Sequence, residues 1–509
     1  MTKMPRVESS RPGSAEGLDR DVLVLGGVFV LGAIMTVLDL TVVNVAIPTL
    51  GRAFDASITA IQWVVTGYML AFASVIPLTG WASERFGAKR VWLGSLLLFL
   101  AGSVLAGAAW SLPSLIGFRV LQGLGAGMIL PVGQTILAQA AGPARMGRVM
   151  SVIGVPMLLA PVFGPVLGGA IVDSTSWRWI FYLNLPVGAL AVLAAQRLLP
   201  EARPQLGQRL DLRGFALLSP GIALFLYGIS EAGNAGGFTA TTTVATVAGI
   251  VLVGLFVRHA LVRGKSALID LSLFRRRGFA AATVMNFLLP VALFGALILL
   301  PLYYQVVRRE NPLNVGLLLI PQGLGAAVAM PIAGRLTDKL GARPVVVAGL
   351  LVAVVGTLAY TGVGAETSYA YLATALFVLG LGIGSTIMPS MAAAFQTLER
   401  DETPRATSAL NAVQRIAGAI GTALLAIVLQ RELAAKLPDF QGGISALARL
   451  STRQHAAVAP ALADAFATTF RVAAALIAIA VVPALLLPRV RSRQEQRSGT
   501  HSPAKEMAA

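Results

Sequence analysis

The sequence predicts an all-α polytopic membrane protein: two six-helix pseudo-symmetric bundles with two helices inserted between them, fourteen transmembrane helices in all. Three observations carry this expectation. The 509 residues are 56% hydrophobic and only 12% charged, with a mean hydropathy of +0.77. A soluble domain carries about twice that charged fraction. Apolar stretches long enough to cross a bilayer, about 20 residues each, recur along the chain. Finally, a charged segment appears twice, as GWASERFGAKR from Gly80 to Arg90 and as GRLTDKLGARP from Gly334 to Pro344, its start shifted by 254 positions. A charged segment repeated between apolar stretches marks a membrane protein made of two related halves.

The spans are expected near 22–49, 59–80, 90–110, 113–138, 147–172 and 179–198 in the first bundle. Two more, near 213–231 and 239–258, form the insertion. The second bundle follows with 278–305, 314–335, 344–363, 368–393, 406–430 and 467–488. The domain reading is a cytoplasmic tail at 1–20, bundles at 21–200 and 266–490 around an insertion at 201–265, and a cytoplasmic tail at 491–509. An outer loop is expected over 431–466, with a surface helix within 444–466. A second echo supports the duplication: Gly123, Gly125 and Gly127 in one half, Gly380, Gly382 and Gly384 in the other. Glycines in such rows let helix backbones approach closely.

Lys and Arg set the orientation. With both termini inside, most of the 40 basic residues fall in the cytoplasmic tails and loops, an asymmetry that an odd helix count would destroy. The net charge of +17 is spread in short runs between apolar segments, so nucleic-acid binding is not expected. Membrane lipid is the expected surface partner, with Arg489, Arg491 and Arg493 placed to meet anionic headgroups. The absence of cysteine excludes disulfides and thiolate chemistry, and the three histidines are too scattered for a metal cluster. No Gly-rich run ends in Gly-Lys-Ser/Thr, so ATP is not the direct energy source. The spans hold no cluster of catalytic groups, so no enzyme and no cofactor is expected.

Asp39 is the one carboxylate deep inside a predicted span. An ionised carboxylate there costs several kcal/mol, so it must face the bundle interior and titrate or pair. It carries a proton or serves as a static polar contact. Arg119 is its expected partner by depth, since 1.5 Å per residue places the two within reach across the outer half of the membrane, directly or through Gln122. Gly164, Pro165, Gly168 and Gly169 predict a kink and a close helix contact. In the duplicated segments Gly80, Glu84, Arg85 and Gly87 match Gly334, Asp338, Lys339 and Gly341, and the charges there, with Arg90 and Arg343 beside them, are expected to latch helix ends or to anchor topology. Cavity walls are sought among Asn44, Gln62, Trp63, Tyr68, Gln134, Asn286, Phe287, Tyr303, Gln322 and Gln414. Arg415 is expected to snorkel toward the cytoplasm.

Six motifs in order resemble the major facilitator superfamily, in its fourteen-helix drug:proton antiporter branch (the EmrB/QacA type). They are LDLTVVNVAIP (Leu38 to Pro48), the duplicated segment with Glu84 where Asp is usual, and RVLQGLGAG (Arg119 to Gly127). GPVLGG (Gly164 to Gly169), WRWIFYLNLPVG (Trp177 to Gly188) and LNAVQRIAGAIG (Leu410 to Gly421) complete the set. The resemblance implies an inner-membrane exporter that exchanges protons for amphipathic, often cationic drugs, with the proton gradient as its energy source. It implies that Asp39 and Arg119 couple the proton, that the Gly164 to Gly169 motif seals the cavity against leak, and that a monomer suffices. An endogenous lipid, siderophore or metabolite is the alternative cargo. A non-transporting receptor or scaffold is the rival class.

Overall fold

The computed structural model describes residues 20–142, 149–150, 154, 164, 167–172, 174–201, 209–395, 398–399, 401–437 and 451–487. The regular elements among the described residues are helices. The first bundle contains α1 (Arg20–Ala53), α2 (Ile58–Val75), α3 (Leu78–Phe86), α4 (Ala88–Gly107), α5 (Leu112–Ala141), α6 (Trp179–Tyr182) and α7 (Asn184–Leu198). The inserted hairpin is α8 (Leu212–Ala235) and α9 (Ala240–Arg263). The second bundle contains α10 (Arg277–Leu302), α11 (Pro312–Leu340), α12 (Ala342–Leu358), α13 (Tyr369–Gly384), α14 (Ile387–Phe395), α15 (Thr403–Lys436) and α16 (Thr452–Ala484). Among the described residues, twelve helical stretches are long and apolar enough to cross a membrane, and the bent α2–α3 pair supplies a thirteenth. The span expected at 147–172 lies largely outside the described residues.

Successive spans alternate in direction, so the start of α1 defines one face, here the terminal face, and the end of α1 the far face. Far-face helix starts are closed by side chains because water is the only other partner for their free N–H groups. Ser57 accepts from Ala60 N, and Ser111 with Ser114 forms a capping box ahead of α5. Thr239 with Thr242 and Ser451 with Gln454 do the same for α9 and α16. On the terminal face, the duplicated segments turn out to be helix ends rather than loops. Gly80 to Phe86 lies in α3 and Gly334 to Leu340 in α11, and each turn is a single glycine, Gly87 at φ 88° and Gly341 at φ 89°. A side chain at either position would be strained, which explains why glycine recurs at both.

The glycine rows set the packing inside each bundle. A Cβ on Gly123 or Gly127 would lie 2.4 Å from Tyr68 O or 2.1 Å from Phe72 O, and one on Gly125 would lie 2.5 Å from Phe99 N. The second bundle repeats this: Gly380 meets Gln322 O at 2.1 Å, Gly384 meets Ala326 O at 2.6 Å and Gly382 meets Ala353 N at 2.4 Å. Here α5 is clamped between α2 and α4, and α13 between α11 and α12.

The inserted hairpin packs beside the seam between the halves. Trp63 of α2 stacks on Tyr227 of α8 with ring centroids 5.8 Å apart, and Gly233 approaches Ala423 of α15. At the terminal face Asp211 caps α8 through Gly214 N at 3.1 Å, accepts from Leu268 N at 3.2 Å, and meets His259 Nε2 at 2.9 Å. Burial raises the Asp211 pKa, but these donors outweigh it and hold the carboxyl below its ordinary value.

The described residues of the expected outer loop at 431–466 are mostly helical. Arg431 to Lys436 complete α15, and the residues from Thr452 onward open α16; residues 438–450 lie outside the described residues. The first part of the expected surface helix within 444–466 lies outside the described residues. Its later part is the start of the last span, held by His455 Nε2 to Val306 O at 2.7 Å. The tails lie outside the described residues.

Candidate functional site

The site is built on α1, α5 and the α6–α7 junction. Asp39 is 2% exposed and Arg119 is 0% exposed. Arg119 Nη1 donates to Asp39 Oδ2 at 2.5 Å. Gln122, one turn along α5, donates to Asp39 Oδ1 at 2.9 Å and accepts from Arg119 Nη1 at 2.7 Å. Asn184 Nδ2 donates to the same Oδ1 at 3.0 Å. Ser103 Oγ receives bonds from Gln122 and Asn184 and donates to Phe181 O at 2.8 Å. Arg119 Nε reaches Val64 O at 3.2 Å, and its guanidinium carbon lies 4.1 Å over the Tyr68 ring. Three donors on one carboxylate offset the cost of burying its charge.

Close packing brings the Gly164 motif onto this network. A Cβ on Gly164 would lie 1.9 Å from Thr41 Oγ1, and one on Gly168 would lie 3.2 Å from Val42 Cα. Thr41 and Val42 directly follow the turn that carries Asp39. Gly169 faces open space, so a close contact is not its role. Pro165 lies outside the described residues.

The two halves meet at the terminal face. Glu84 of α3 takes a bidentate contact from Arg405 of α15, with Nε to Oε1 at 2.9 Å and Nη2 to Oε2 at 2.9 Å. Arg405 Nη1 also donates to Lys265 O, just after the inserted hairpin. A Cβ on Gly80 would lie 3.0 Å from Arg405 Cα, so glycine admits α15 here. Deeper along the seam, Ser408 Oγ donates to Ile76 O at 2.8 Å. Asn411 Nδ2 donates to Gln134 Oε1 at 2.8 Å. These contacts close the seam on the terminal side.

Several expected assignments change. Arg85 makes no ion pair among the described residues; the latch on α3 is Glu84 alone. Lys339 and Arg90 are exposed, and Arg343 is half-buried at the start of α12. Asp338 occupies the second-bundle position that matches Glu84. Tyr303 is not a cavity wall: it is fully buried, donates to Gly364 O at 2.9 Å and packs on Tyr304, Tyr360 and Phe466. Tyr68 lies under Arg119 and belongs to the charged network. Trp63 is 42% exposed but sits against the inserted hairpin. Gln134 is a seam contact. Arg415 does not snorkel. It lies about 18 Å along α15, half-buried, with its guanidinium carbon 4.3 Å over the Phe72 ring of the other half.

Among the remaining positions, Asn286 donates to Ser390 O and accepts from Gln414 Nε2 at 2.9 Å. Phe287 and Gln322 are half-buried, and Asn44 and Gln62 are exposed. Sequence reasoning missed Asn184, Ser103 and Arg405 as functional groups. Asn184 met the test that singled out Asn44 and Gln62, an uncharged polar residue in an apolar span. Nothing in the sequence announced that Arg405 would meet Glu84 across 321 positions.

A buried charge pair in one bundle, with a closable seam between two related bundles, is the construction of a membrane carrier. The chain belongs to the Major Facilitator Superfamily, whose family model matches residues 29–422. It is 40% identical to the multidrug resistance protein B homolog of Mycobacterium tuberculosis, covering 96% of this chain and 94% of that protein. It is 33% identical to the multidrug export protein EmrB of Haemophilus influenzae, covering 77% of this chain and 78% of that protein. The fold is shared with the human organic anion transporter MFSD10, at TM-score 0.60 and 18% identity over 90% of this chain and 99% of that one. The proton:xylose symporter XylE matches at TM-score 0.58 and 13% identity, over 92% and 96%.

Proposed function

We propose that the chain is a proton-coupled multidrug efflux transporter of the plasma membrane, with its terminal face in the cytoplasm. It exports amphipathic compounds in exchange for protons by alternating access. The observation that carries this is the Asp39 network, a buried carboxylate held by Arg119, Gln122 and Asn184 and packed beside the Gly164 contact. The Lys and Arg distribution supports the orientation. The 40% identical relative with a multidrug resistance name supports the cargo class.

In this conformation the seam is closed toward the cytoplasm and Asp39 is out of contact with water. Ionised Asp39 accepts from all three donors. Protonation cancels its charge and leaves Arg119 without a counter-ion in a desolvated site, so α1 and α5 are no longer held in the same way. Proton and drug therefore compete through one two-state equilibrium rather than through a shared contact. The Gly164 and Gly168 contacts transmit a shift of α1 to the next span because no side chain cushions them. Opening the cytoplasmic seam requires the Glu84–Arg405 contact to break.

The test is drug-driven proton flux in reconstituted vesicles for wild type and Asp39→Asn. Wild type is expected to move protons when drug is added, and Asp39→Asn to retain drug binding without proton movement. Equal flux in both removes Asp39 from the mechanism.

A further inference from the structure

Arg415 is a cation near the middle of α15 that the proton mechanism does not use. Among the described residues it makes no hydrogen bond and no ion pair; its one contact of this kind is the Phe72 ring, 4.3 Å from the guanidinium carbon. Stacking occupies the face of the guanidinium and leaves its in-plane N–H donors free. Those donors are not sealed off, since Arg415 is half-buried at the seam between the halves. The titratable group close enough to act on it is Tyr68, a neutral phenol. The Tyr68 hydroxyl is buried and itself lacks a hydrogen-bond partner among the described residues. A cation at this depth without a counter-ion is expensive, and such residues mark ligand paths. One turn further along α15, Gly418 admits the Phe294 ring to 3.2 Å from where a Cβ would stand, and Phe294 is 47% exposed.

We propose that Arg415 is a docking site for the acidic group of an amphipathic cargo, with Phe72 holding the guanidinium flat, the Tyr68 hydroxyl as a further donor and Phe294 as the apolar wall. The ligand class is a carboxylic acid with an aromatic or aliphatic body. A planar carboxylate matches the fork of free donors. This rests on the transport reading and adds an acidic class of cargo to the often cationic drugs that the resemblance implies. It also gives the seam a second charge, separate from Asp39: the acid bridges Arg415 of one half and Tyr68 of the other, so its arrival biases the same equilibrium that the proton biases.

Equilibrium binding to the purified full chain tests the site without needing transport. The probes are radiolabelled naphthylacetic acid and its uncharged methyl ester. Wild type is expected to bind the acid roughly tenfold more tightly than the ester, the scale of one charge-assisted contact. Arg415→Gln is expected to lose that preference while still binding the ester, and Arg415→Lys to recover part of it. Equal affinities for acid and ester in wild type overturn the proposal. So does an unchanged preference in Arg415→Gln. If Arg415→Gln fails to fold, Tyr68→Phe serves instead, with a preference reduced about threefold expected and an unaltered one counting against the site. Proton flux on adding a panel of acidic, neutral and cationic amphipathic drugs to reconstituted wild-type vesicles is scored separately. Its absence defeats the transport reading and leaves the acid preference to be judged on binding alone.

Discussion

The two bundles share a frame and differ in what fills it. Tyr68, Phe72 and Phe99 receive the glycines of α5, while Gln322, Ala326 and Ala353, each 254 positions later, receive those of α13. The contacts themselves are duplicated. Yet the same offset takes Asp39 to Leu293, and the glycine rows align Arg119 with Leu376, both buried in the apolar core of the second bundle. The duplicated prolines behave differently too. Pro77 marks a break where α2 and α3 bend by 57°, and at that bend Ile76 O accepts from Thr79 and also from Ser408 of the other half. Pro331, its counterpart, lies inside an unbroken α11. Backbone geometry is therefore copied where glycine dictates it, and diverges at the bend that a side chain of the other half reaches.

That comparison breaks most directly at the charge pair. Arg119→Ala leaves Asp39 buried without its counter-ion, an arrangement that costs about 3–5 kcal/mol. It is expected to abolish proton-coupled export and to lower the melting temperature. The double variant Asp39→Leu with Arg119→Leu makes the first bundle resemble the second. It is expected to recover most of the lost stability and none of the coupling. Coupled transport in the double variant would sink the asymmetry.

The frame is tested next. Gly123→Ala and Gly380→Ala each drive a methyl group into a carbonyl oxygen, at 2.4 and 2.1 Å. Overpacking of this kind costs about 1–3 kcal/mol, so both variants are expected to lose thermal stability by similar amounts in detergent. A large loss in one and none in the other would show that the glycine contacts are not equivalent. Within the Gly164 motif the same substitution separates roles. Gly164→Ala collides with Thr41 and is expected to impair coupling, whereas Gly169→Ala enters open space.

The gate supplies a smaller effect. Glu84→Gln weakens the Arg405 contact by about 1–3 kcal/mol. It is expected to widen the seam at the terminal face, read as a longer distance between spin labels at Phe86→Cys and Arg275→Cys. The absence of native cysteine makes that labelling clean. An unchanged distance distribution would remove Glu84 from the latch. Gly169→Ala gives the smallest change, a gain of about 0.5–1 kcal/mol from helix propensity, seen as a slightly raised melting temperature.

The helical class, the direction of each described span, the duplicated turns at Gly87 and Gly341 and the burial of Asp39 against Arg119 were legible in the chain. Each follows from local physics: span length, a turn only glycine tolerates, and a charge that hydrocarbon does not accept. Partners at long range were not legible. Arg405 reaches Glu84, Asn411 reaches Gln134 and Arg415 stacks on Phe72 because α15 packs on α3 and α5 beside the end of α2, and no local pattern encodes that neighbour. The cavity candidates fared unevenly for the same reason. Polarity in an apolar span says that a residue needs a partner, but only packing decides whether the partner is a core tyrosine cluster, as for Tyr303, or the opposite half, as for Gln134. The sequence by itself determined the elements and the charge they had to bury. The tertiary structure decided which donors surround that charge and where the halves lock, because those contacts join segments that meet only after the helices have packed.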